Sequence, residues 1–194
     1  MSDELISYYK EFLKENWLID EGTCLTWFNA CDVEAAASVF GADLRSAERM
    51  SYSDAYGEAF EEIERSSQGN VVLFGVAGSW NIAMEPYGWR GMGDQVIGGL
   101  ARSGDAVSVL IAAGSHHRVA YDHNGHGSYV VRWLDERNGP VPPALDEHLN
   151  GLSIFGDVDS DEWKASALAL AQRFTGVRLD QEWLERQHIR YLIR

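Results

Sequence analysis

Residues 71–91, VVLFGVAGSWNIAMEPYGWRG, decide the fold of this chain. The segment contains two apolar runs, 71–77 and 80–84, on either side of the pair Gly78 and Ser79. Val, Phe, Trp and Ile suit the half-buried surface of a pleated strand, and a Gly-Ser pair between two such runs is typical of a tight turn. The segment therefore predicts a β-hairpin.

The loop after this hairpin contains the candidate binding residues. Between a proline and a glycine it places Glu85, Tyr87, Trp89 and Arg90. Trp, Tyr and Arg are the residue types that dominate interaction hot spots, which favours a binding surface. Alternatively, Glu85 and Arg90 pair across the loop and Trp89 packs on a helix. The sequence leaves both interpretations open.

The remaining chain predicts helices and strands in similar numbers. Apolar residues recur at helical spacing over 3–16, 52–65 and 161–175, and shorter helices are predicted over 33–40 and after Asp94 and Asp180. Runs rich in β-forming residues predict strands over 23–29, 106–113, 117–122 and 129–134, and the dipeptide Asn124-Gly125 predicts a hairpin turn. The sequence assigns no secondary structure to the tail 189–194.

These elements indicate an α+β fold with an antiparallel sheet of about five to six strands flanked by helices. A chain of 194 residues suits a single domain, 1–194, and buries roughly 70% of its unfolded surface. We expect an N-terminal helix within 1–20 and C-terminal helices within 160–194, packed on the same core.

Composition bears on the class of partner. The net charge of −14 disfavours nucleic acid and anionic membranes, since binding to both needs clustered Lys and Arg. It fits solubility alone, or an acidic face for a basic protein partner. No run approaches the ~18 apolar residues of a membrane helix. The oligomeric state is not predicted.

The cysteines and the N-terminus indicate a compartment. Cys24 and Cys31 lie about 20 Å apart if the chain between them is extended, which is beyond disulfide reach. Residues 1–20 mix charged with apolar side chains and lack the apolar core of a signal peptide. We therefore expect a cytoplasmic protein with reduced thiols.

Four histidines lie close together in the chain: His116, His117, His123 and His126. They surround predicted turns in the 115–128 hairpin, where we expect them to be exposed, and their spacing matches none of the familiar zinc patterns. The sequence therefore predicts no metal site and no cofactor.

Two further motifs fail as catalytic signatures. Ser79 and Ser128 each follow a glycine, but neither lies on a strand-to-helix turn with the second glycine of a nucleophile elbow. The glycines at 88, 91 and 93 lack the nearby lysine of a phosphate-binding loop. We therefore predict no catalytic residue from motifs.

Several segments in order resemble an uncharacterised actinobacterial family, a domain of unknown function. They are CLTWF from Cys24, FGAD from Phe40, MSYSDAYGEA from Met50, GSWNIAMEPYGWRG from Gly78, DAVSVL from Asp105 and ALALAQRFTGVRLDQEWL from Ala167. The resemblance extends over roughly residues 20–185, and the 1–20 helix and the histidine-rich hairpin depart from it. It implies a bacterial cytoplasmic protein and brings no activity, cofactor or site residue.

Two functions remain open at this stage. The first is a non-catalytic binding or interaction module, for instance an immunity or antitoxin-like protein that neutralises a basic partner. The second is an enzyme of unrecognised type, such as a hydrolase that uses Glu85 with a histidine of the 115–128 hairpin. A deep pocket lined by Glu85 and a histidine would favour the enzyme, whereas a flat acidic face would favour the binding module.

Overall fold

The computed structural model describes residues 2–66, 70–112, 114, 116–136 and 140–193. Met1, Ala113, Ser115 and Arg194, at the ends of predicted segments, lie outside the described residues. Within the described part the helices are α1 (Ser2–Glu15), α2 (Trp17–Glu21), α3 (Val33–Val39), α4 (Tyr52–Ser66), α5 (Asp94–Leu100), α6 (Pro143–Asp146), α7 (Ser160–Thr175) and α8 (Gln181–Glu185). The strands are β1 (Thr23–Phe28), β2 (Ala42–Met50), β3 (Val71–Ala77), β4 (Trp80–Pro86), β5 (Asp105–Ile111), β6 (Arg118–His123), β7 (Tyr129–Arg132) and β8 (His188–Ile193).

In the described part of the chain, the strands form one sheet in the order β2-β8-β3-β4-β1-β5-β6-β7. Each neighbouring pair is antiparallel. The α+β class and the antiparallel sheet flanked by helices are therefore confirmed. The predicted number of five to six strands is wrong, since the sheet has eight.

The two missed strands form one end of the sheet. β2 is the edge strand and none of its residues is buried, so it lacks the alternation of apolar and polar residues by which a half-buried strand is recognised. β8 contains most of the tail that the sequence left unplaced. It lies between β2 and β3, where Leu192 pairs with Val71 and Ile193 pairs with Ala42. The segment 160–194 thus ends in a strand rather than a helix.

Both predicted hairpin turns are present. Ala77 pairs with Trp80, so Gly78 and Ser79 alone connect β3 to β4, and Gly78 has a φ of 64°. Asn124 and Gly125 have φ angles of 56° and 67°, the left-handed pair that a type I′ turn requires. These local signals therefore locate the β3–β4 and β6–β7 connections.

Helices cover both faces of the sheet. Residues of α1, α4 and α7, such as Tyr9, Ala59 and Trp163, pack on one face in a core cluster with Leu25 and other strand residues. The opposite face packs against the shorter α3 and α5 through a second cluster. The candidate site lies on this second face, at the end of β4 where the chain leaves the sheet.

The sequence predicts helix caps at Asp32, Ser51, Asp94, Ser160 and Asp180; those at Asp32, Ser51 and Asp180 are confirmed, whereas α5 is capped by Gly93 and α7 by Asp159. The side chain of Asp32 accepts a hydrogen bond from the backbone of Ala35, and that of Asp180 accepts one from Trp183. For α7 the cap is Asp159 instead of Ser160, and the Ser160 hydroxyl is hydrogen bonded to His117. Among the helices of the described residues, none combines the length and apolar character that crossing a membrane requires.

Candidate binding site

The loop 85–92 is attached to the sheet by the Glu85 carboxylate. Glu85 lies in β4 opposite Cys24 of β1, and its side chain points toward the face covered by α3 and α5. Its two carboxylate oxygens accept hydrogen bonds from the backbone N–H groups of Arg90 (3.0 Å) and Gly91 (2.8 Å). The loop therefore folds back over the residue from which it starts.

Beneath the loop lies a buried polar cluster formed by Cys24, Thr26, Glu85 and Ser108. The Ser108 hydroxyl lies 2.9 Å from that of Thr26 and 3.2 Å from the Cys24 sulfur. Burial raises the pKa of Glu85 to about 7, although the two backbone N–H groups oppose this shift. Burial and the Glu85 charge likewise raise the pKa of the Cys24 thiol well above its usual range. Cys24 is thus an inert, protonated thiol near neutral pH.

Two glycines allow the loop to lie close to the buried polar cluster. A Cβ atom at Gly91 would clash with the Thr26 hydroxyl, and one at Gly88 would lie 2.7 Å from the Glu85 Cβ. A side chain at either position would therefore push the loop off the cluster. The glycines that the sequence analysis assigned to no function have a packing role.

The other predicted site residues take different positions. The Arg90 guanidinium donates a hydrogen bond to the Phe40 carbonyl at 3.3 Å, so it ties the loop to the end of α3. Tyr87 has a φ of 53°, its backbone N–H donates to the Gly22 carbonyl at 2.8 Å, and its hydroxyl is hydrogen bonded to that of Tyr56. Trp89 leaves 54% of its surface exposed. Trp89 therefore does not belong to the core.

Trp89 forms one wall of a cleft of about 430 Å³, which we call the Trp89 cleft. Its apolar lining includes Tyr87, Met92, Leu110 and Ile111. Glu21, His116 and Arg118 contribute polar groups to the same lining. A mainly apolar cleft with a few polar groups is the usual composition of a small-molecule site.

Around Tyr87, aromatic side chains continue across the surface from the cleft. The Tyr56 ring lies 4.8 Å from that of Tyr87 and 6.4 Å from that of Trp17, and the Phe60 ring lies 6.0 Å from that of Tyr87. Trp17 and Phe60 are 59% and 48% exposed. We call Trp17, Tyr56, Phe60 and Tyr87 the aromatic patch.

The structure does not bring Glu85 together with a histidine. Glu85 is 1% exposed beneath the loop and does not line the Trp89 cleft, whereas His116 does. His117, expected to be exposed, is instead buried against Trp133 and Trp163. This burial lowers the pKa of His117 to about 4, and its Nδ1 accepts a hydrogen bond from the Ala112 backbone at 3.2 Å.

The remaining histidines do not extend this site. His123 is exposed and lies 2.8 Å from a carboxylate oxygen of Asp105, and His126 is exposed on the β6–β7 turn. Within the described ranges, no group of three or more His, Cys, Asp or Glu side chains is placed to hold a metal ion. That the protein binds no metal stays a prediction.

Sequence reasoning missed the polar wall of the cleft. Arg118 begins β6, and it shares a sheet face with Ala120 and Leu110, although the predicted strand placed it among alternating residues without a role. One signal was available. Arg118 is charged, yet the next residue on the same face of the strand, Ala120, is apolar and fully buried. Its position beside Trp89 follows from pairing across the sheet, which no local pattern indicates.

Comparisons with known proteins place the chain in a family. No curated protein and no solved structure matches it. A family model described as a family of unknown function, DUF6461, matches residues 8–191. The match includes the loop 85–92, most of α1, the helices α2 to α8, and the sheet except the last two residues of β8. The chain therefore belongs to DUF6461, a family of unknown function, as the resemblance in its ordered segments indicated.

Proposed function

We propose that this protein is a non-catalytic binding module that recognises a basic protein partner through the aromatic patch and Trp89. The observation that carries the proposal is the exposure of Trp17, Phe60 and Trp89, by 59%, 48% and 54%. Tyr87 links them, since its ring contacts that of Phe60 and it lines the cleft with Trp89. Exposed large apolar side chains that lie together are typical of interaction surfaces, and aromatic anchors supply most of the energy in such surfaces.

The hydrogen bonds that hold these side chains in position also favour binding. Tyr87 connects the patch to the loop 85–92, and its hydrogen bond with Tyr56 joins the loop to α4. The hydrogen bonds from Arg90 and Gly91 to the Glu85 carboxylate fix the turn that presents Trp89. An anchor that is rigid before binding loses less conformational entropy on association, which raises affinity.

Charge supports a basic partner. The sequences of α2 and α4, which carry Trp17 and Phe60, contain seven acidic residues and one arginine: Asp20, Glu21, Asp54, Glu58, Glu61, Glu62, Glu64 and Arg65. The whole chain has a net charge of −14. Complementary charge speeds association and excludes acidic competitors, while the buried aromatic contacts hold the complex. An immunity or antitoxin-like protein that neutralises a basic toxin is one instance of such a module.

A cytoplasmic location belongs to the same proposal. Both cysteines are free, and the Cys24 sulfur lies within hydrogen-bond distance of Ser108 in the buried polar cluster. Disulfides are rare in cytosolic proteins, where cysteines are kept as free thiols. A bacterial cytoplasmic toxin or nucleic-acid-binding protein would meet the module there.

Affinity capture followed by a purified binding measurement tests the proposal. The wild-type chain and the variants Phe60→Ser and Val76→Thr are used as bait in a lysate of the source organism, and captured proteins are identified by mass spectrometry. Val76 is the matched control because it is 63% exposed but lies on β3, outside the patch. We expect a protein with a net positive charge that the wild type and Val76→Thr retain and Phe60→Ser loses.

The captured protein is then purified and its affinity is measured at low and high salt. We expect binding to weaken by at least about tenfold for Phe60→Ser and to weaken with added salt. An acidic partner, or a partner that Phe60→Ser retains with unchanged affinity, would refute the proposal. So would the recovery of no specific protein by the wild-type bait.

A further inference from the structure

Arg118 lies directly opposite Arg132 across strands β6 and β7. Paired residues on antiparallel strands point to the same face, and like charges in this position repel each other. Within the described residues, neither guanidinium lies in ion-pair distance of a carboxylate, although the chain has 30 Asp and Glu residues against 16 Lys and Arg. The paired strands therefore place two cationic side chains together, with no carboxylate at ion-pair distance of either guanidinium in the described part of the chain.

Arg118 also has an unsatisfied donor. Its Nε atom is buried and makes no hydrogen bond within the described part of the protein. Buried polar groups are nearly always hydrogen bonded, because an unmet donor loses its contact with water without replacement. Because Nε is enclosed by protein, a ligand in the Trp89 cleft would meet the terminal N–H groups of the same guanidinium.

The rest of the cleft suits an apolar body. Leu110 pairs with Arg118 across β5 and β6, so an apolar side chain lies directly beside the guanidinium on the same face of the sheet. Met92 and the exposed Trp89 line the same cleft from the loop. The volume of about 430 Å³ falls within the range of small-molecule pockets.

We propose that the Trp89 cleft binds a small organic carboxylate with an aromatic or alkyl body. The Arg118 guanidinium receives the carboxylate through its two terminal nitrogens, a paired arrangement that a planar guanidinium forms with a carboxylate. His116 lines the same cleft, and Arg132 adds positive charge from the neighbouring strand. The apolar body lies between Trp89 and Leu110.

The charge of Glu21 determines which end of the cleft the ligand carboxylate occupies. Glu21 lies at the β1 side of the cleft, whereas Arg118 lies on β6, and β5 separates the two strands. Strands two places apart are separated by about 10 Å. A carboxylate near Glu21 would be repelled, so the anionic end lies toward Arg118 and the apolar end toward Tyr87.

Matched ligand pairs test this site in the full-length chain. A panel of fragment-sized monocarboxylates, led by naphthalene-2-carboxylate and decanoate, is compared with the corresponding neutral amides by saturation-transfer NMR and calorimetry. We expect at least one carboxylate to bind with a dissociation constant of about 1 mM or better, at least about tenfold more tightly than its amide. No binding by any carboxylate, or equal binding by acid and amide, would overturn the proposal.

Three variants assign the binding to the cleft. Arg118→Gln should remove the preference for the carboxylate over the amide, while Arg102→Gln, which removes an exposed arginine outside the cleft, should leave it unchanged. Trp89→Ala should weaken acid and amide by a similar factor, because it removes the apolar contact alone. A preference that survives Arg118→Gln would overturn the proposal even if a carboxylate binds.

This site goes beyond the proposed protein-binding surface, and the two proposals fail separately. Phe60→Ser tests the protein partner and leaves the lining of the Trp89 cleft unchanged. Arg118→Gln tests the carboxylate and leaves the aromatic patch unchanged. Loss of one activity therefore does not imply loss of the other.

Discussion

The Glu85 carboxylate accepts a hydrogen bond from the backbone N–H of Gly91 over 2.8 Å. This bond joins the end of β4 to a residue six positions later, and it brings Gly91 so close to Thr26 that a Cβ atom would clash with the hydroxyl. The conformation of the loop 85–92 thus depends on a carboxylate as acceptor and a glycine without a side chain. Both requirements can be tested separately.

The requirement for glycine predicts opposite effects of one substitution at two positions. Gly91→Ala should destabilise the protein by about 1–3 kcal/mol, because overpacking forces the buried cluster or the loop to move. Gly57→Ala is the matched control, since a Cβ there meets no atom within 4 Å and Gly57 lies inside α4. Alanine at that position should stabilise by about 0.5–1 kcal/mol through its helix propensity. Urea unfolding measures both, and equal effects would contradict the packing role of Gly91.

The buried Glu85 predicts a loss of stability with rising pH. Its folded-state pKa of about 7 lies above the ordinary value of 4.5, so the folded protein binds the proton more tightly than the unfolded chain. The resulting stabilisation is complete below pH 4.5 and disappears as the pH rises through 7. It amounts to up to about 3 kcal/mol.

The variant Glu85→Gln isolates this contribution, because glutamine has a similar shape and no titrating proton. We expect the free energy of unfolding of the wild type, relative to that of the variant, to fall between pH ~5 and ~8. Chemical denaturation at a series of pH values gives the comparison. A difference that stays constant with pH would show that Glu85 is ionised at neutral pH.

His117 predicts a pH dependence of the opposite sign. Burial lowers its pKa from 6.5 to about 4, so the unfolded chain binds the proton more tightly than the folded protein. Stability should therefore rise with pH from 4 to 6.5, by about 1–3 kcal/mol. In His117→Gln, which cannot titrate, this rise should be smaller. An unchanged rise would assign it to other groups.

The cysteines predict a graded reaction with a thiol reagent. Cys24 is fully buried and Cys31 is half-buried, and burial raises the pKa of both thiols. Without denaturant, Ellman's reagent should modify Cys31 slowly and Cys24 only through unfolding. In denaturant, protein purified without reductant should show two free thiols. No free thiols in a monomer would contradict the reduced state.

Local features of the fold were predictable from the sequence, whereas long-range pairing was not. The turns at Gly78 and Asn124 depend on backbone conformations that few residues adopt, so two residues sufficed to locate each hairpin. The strand β8 joins the sheet only because Leu192 reaches Val71, more than one hundred residues earlier. No periodicity within a six-residue tail encodes that contact.

The candidate site likewise combines local features that the sequence indicates with long-range contacts that it does not. The density of Tyr, Trp and Arg in residues 85–91 indicated the loop, and its geometry follows from nearby bonds such as Glu85 to Arg90. Arg118 could not be placed beside Trp89 from the sequence, because the order of β4, β1, β5 and β6 in the sheet determines their proximity. The burial of His117 was missed because the helix that covers it begins more than forty residues later.

Trp89 provides the most direct test of the candidate site. Because 54% of its surface is exposed, Trp89→Ala should change the free energy of unfolding by no more than about 1 kcal/mol. Trp163 is the matched control, since it is fully buried and its indole N–H donates to the Ile154 carbonyl at 2.9 Å. Trp163→Ala should cost about 3–5 kcal/mol, enough to unfold many domains.

Thermal unfolding of the two variants, followed by far-ultraviolet circular dichroism, separates these expectations. A melting temperature of Trp89→Ala close to that of the wild type, with binding reduced, would assign the side chain to ligand and partner contacts. A decrease of about 10 °C or more would place Trp89 among the residues that stabilise the fold. Such a decrease would count against Trp89 as a contact residue in both proposals, because its substitution could then act on binding through the fold.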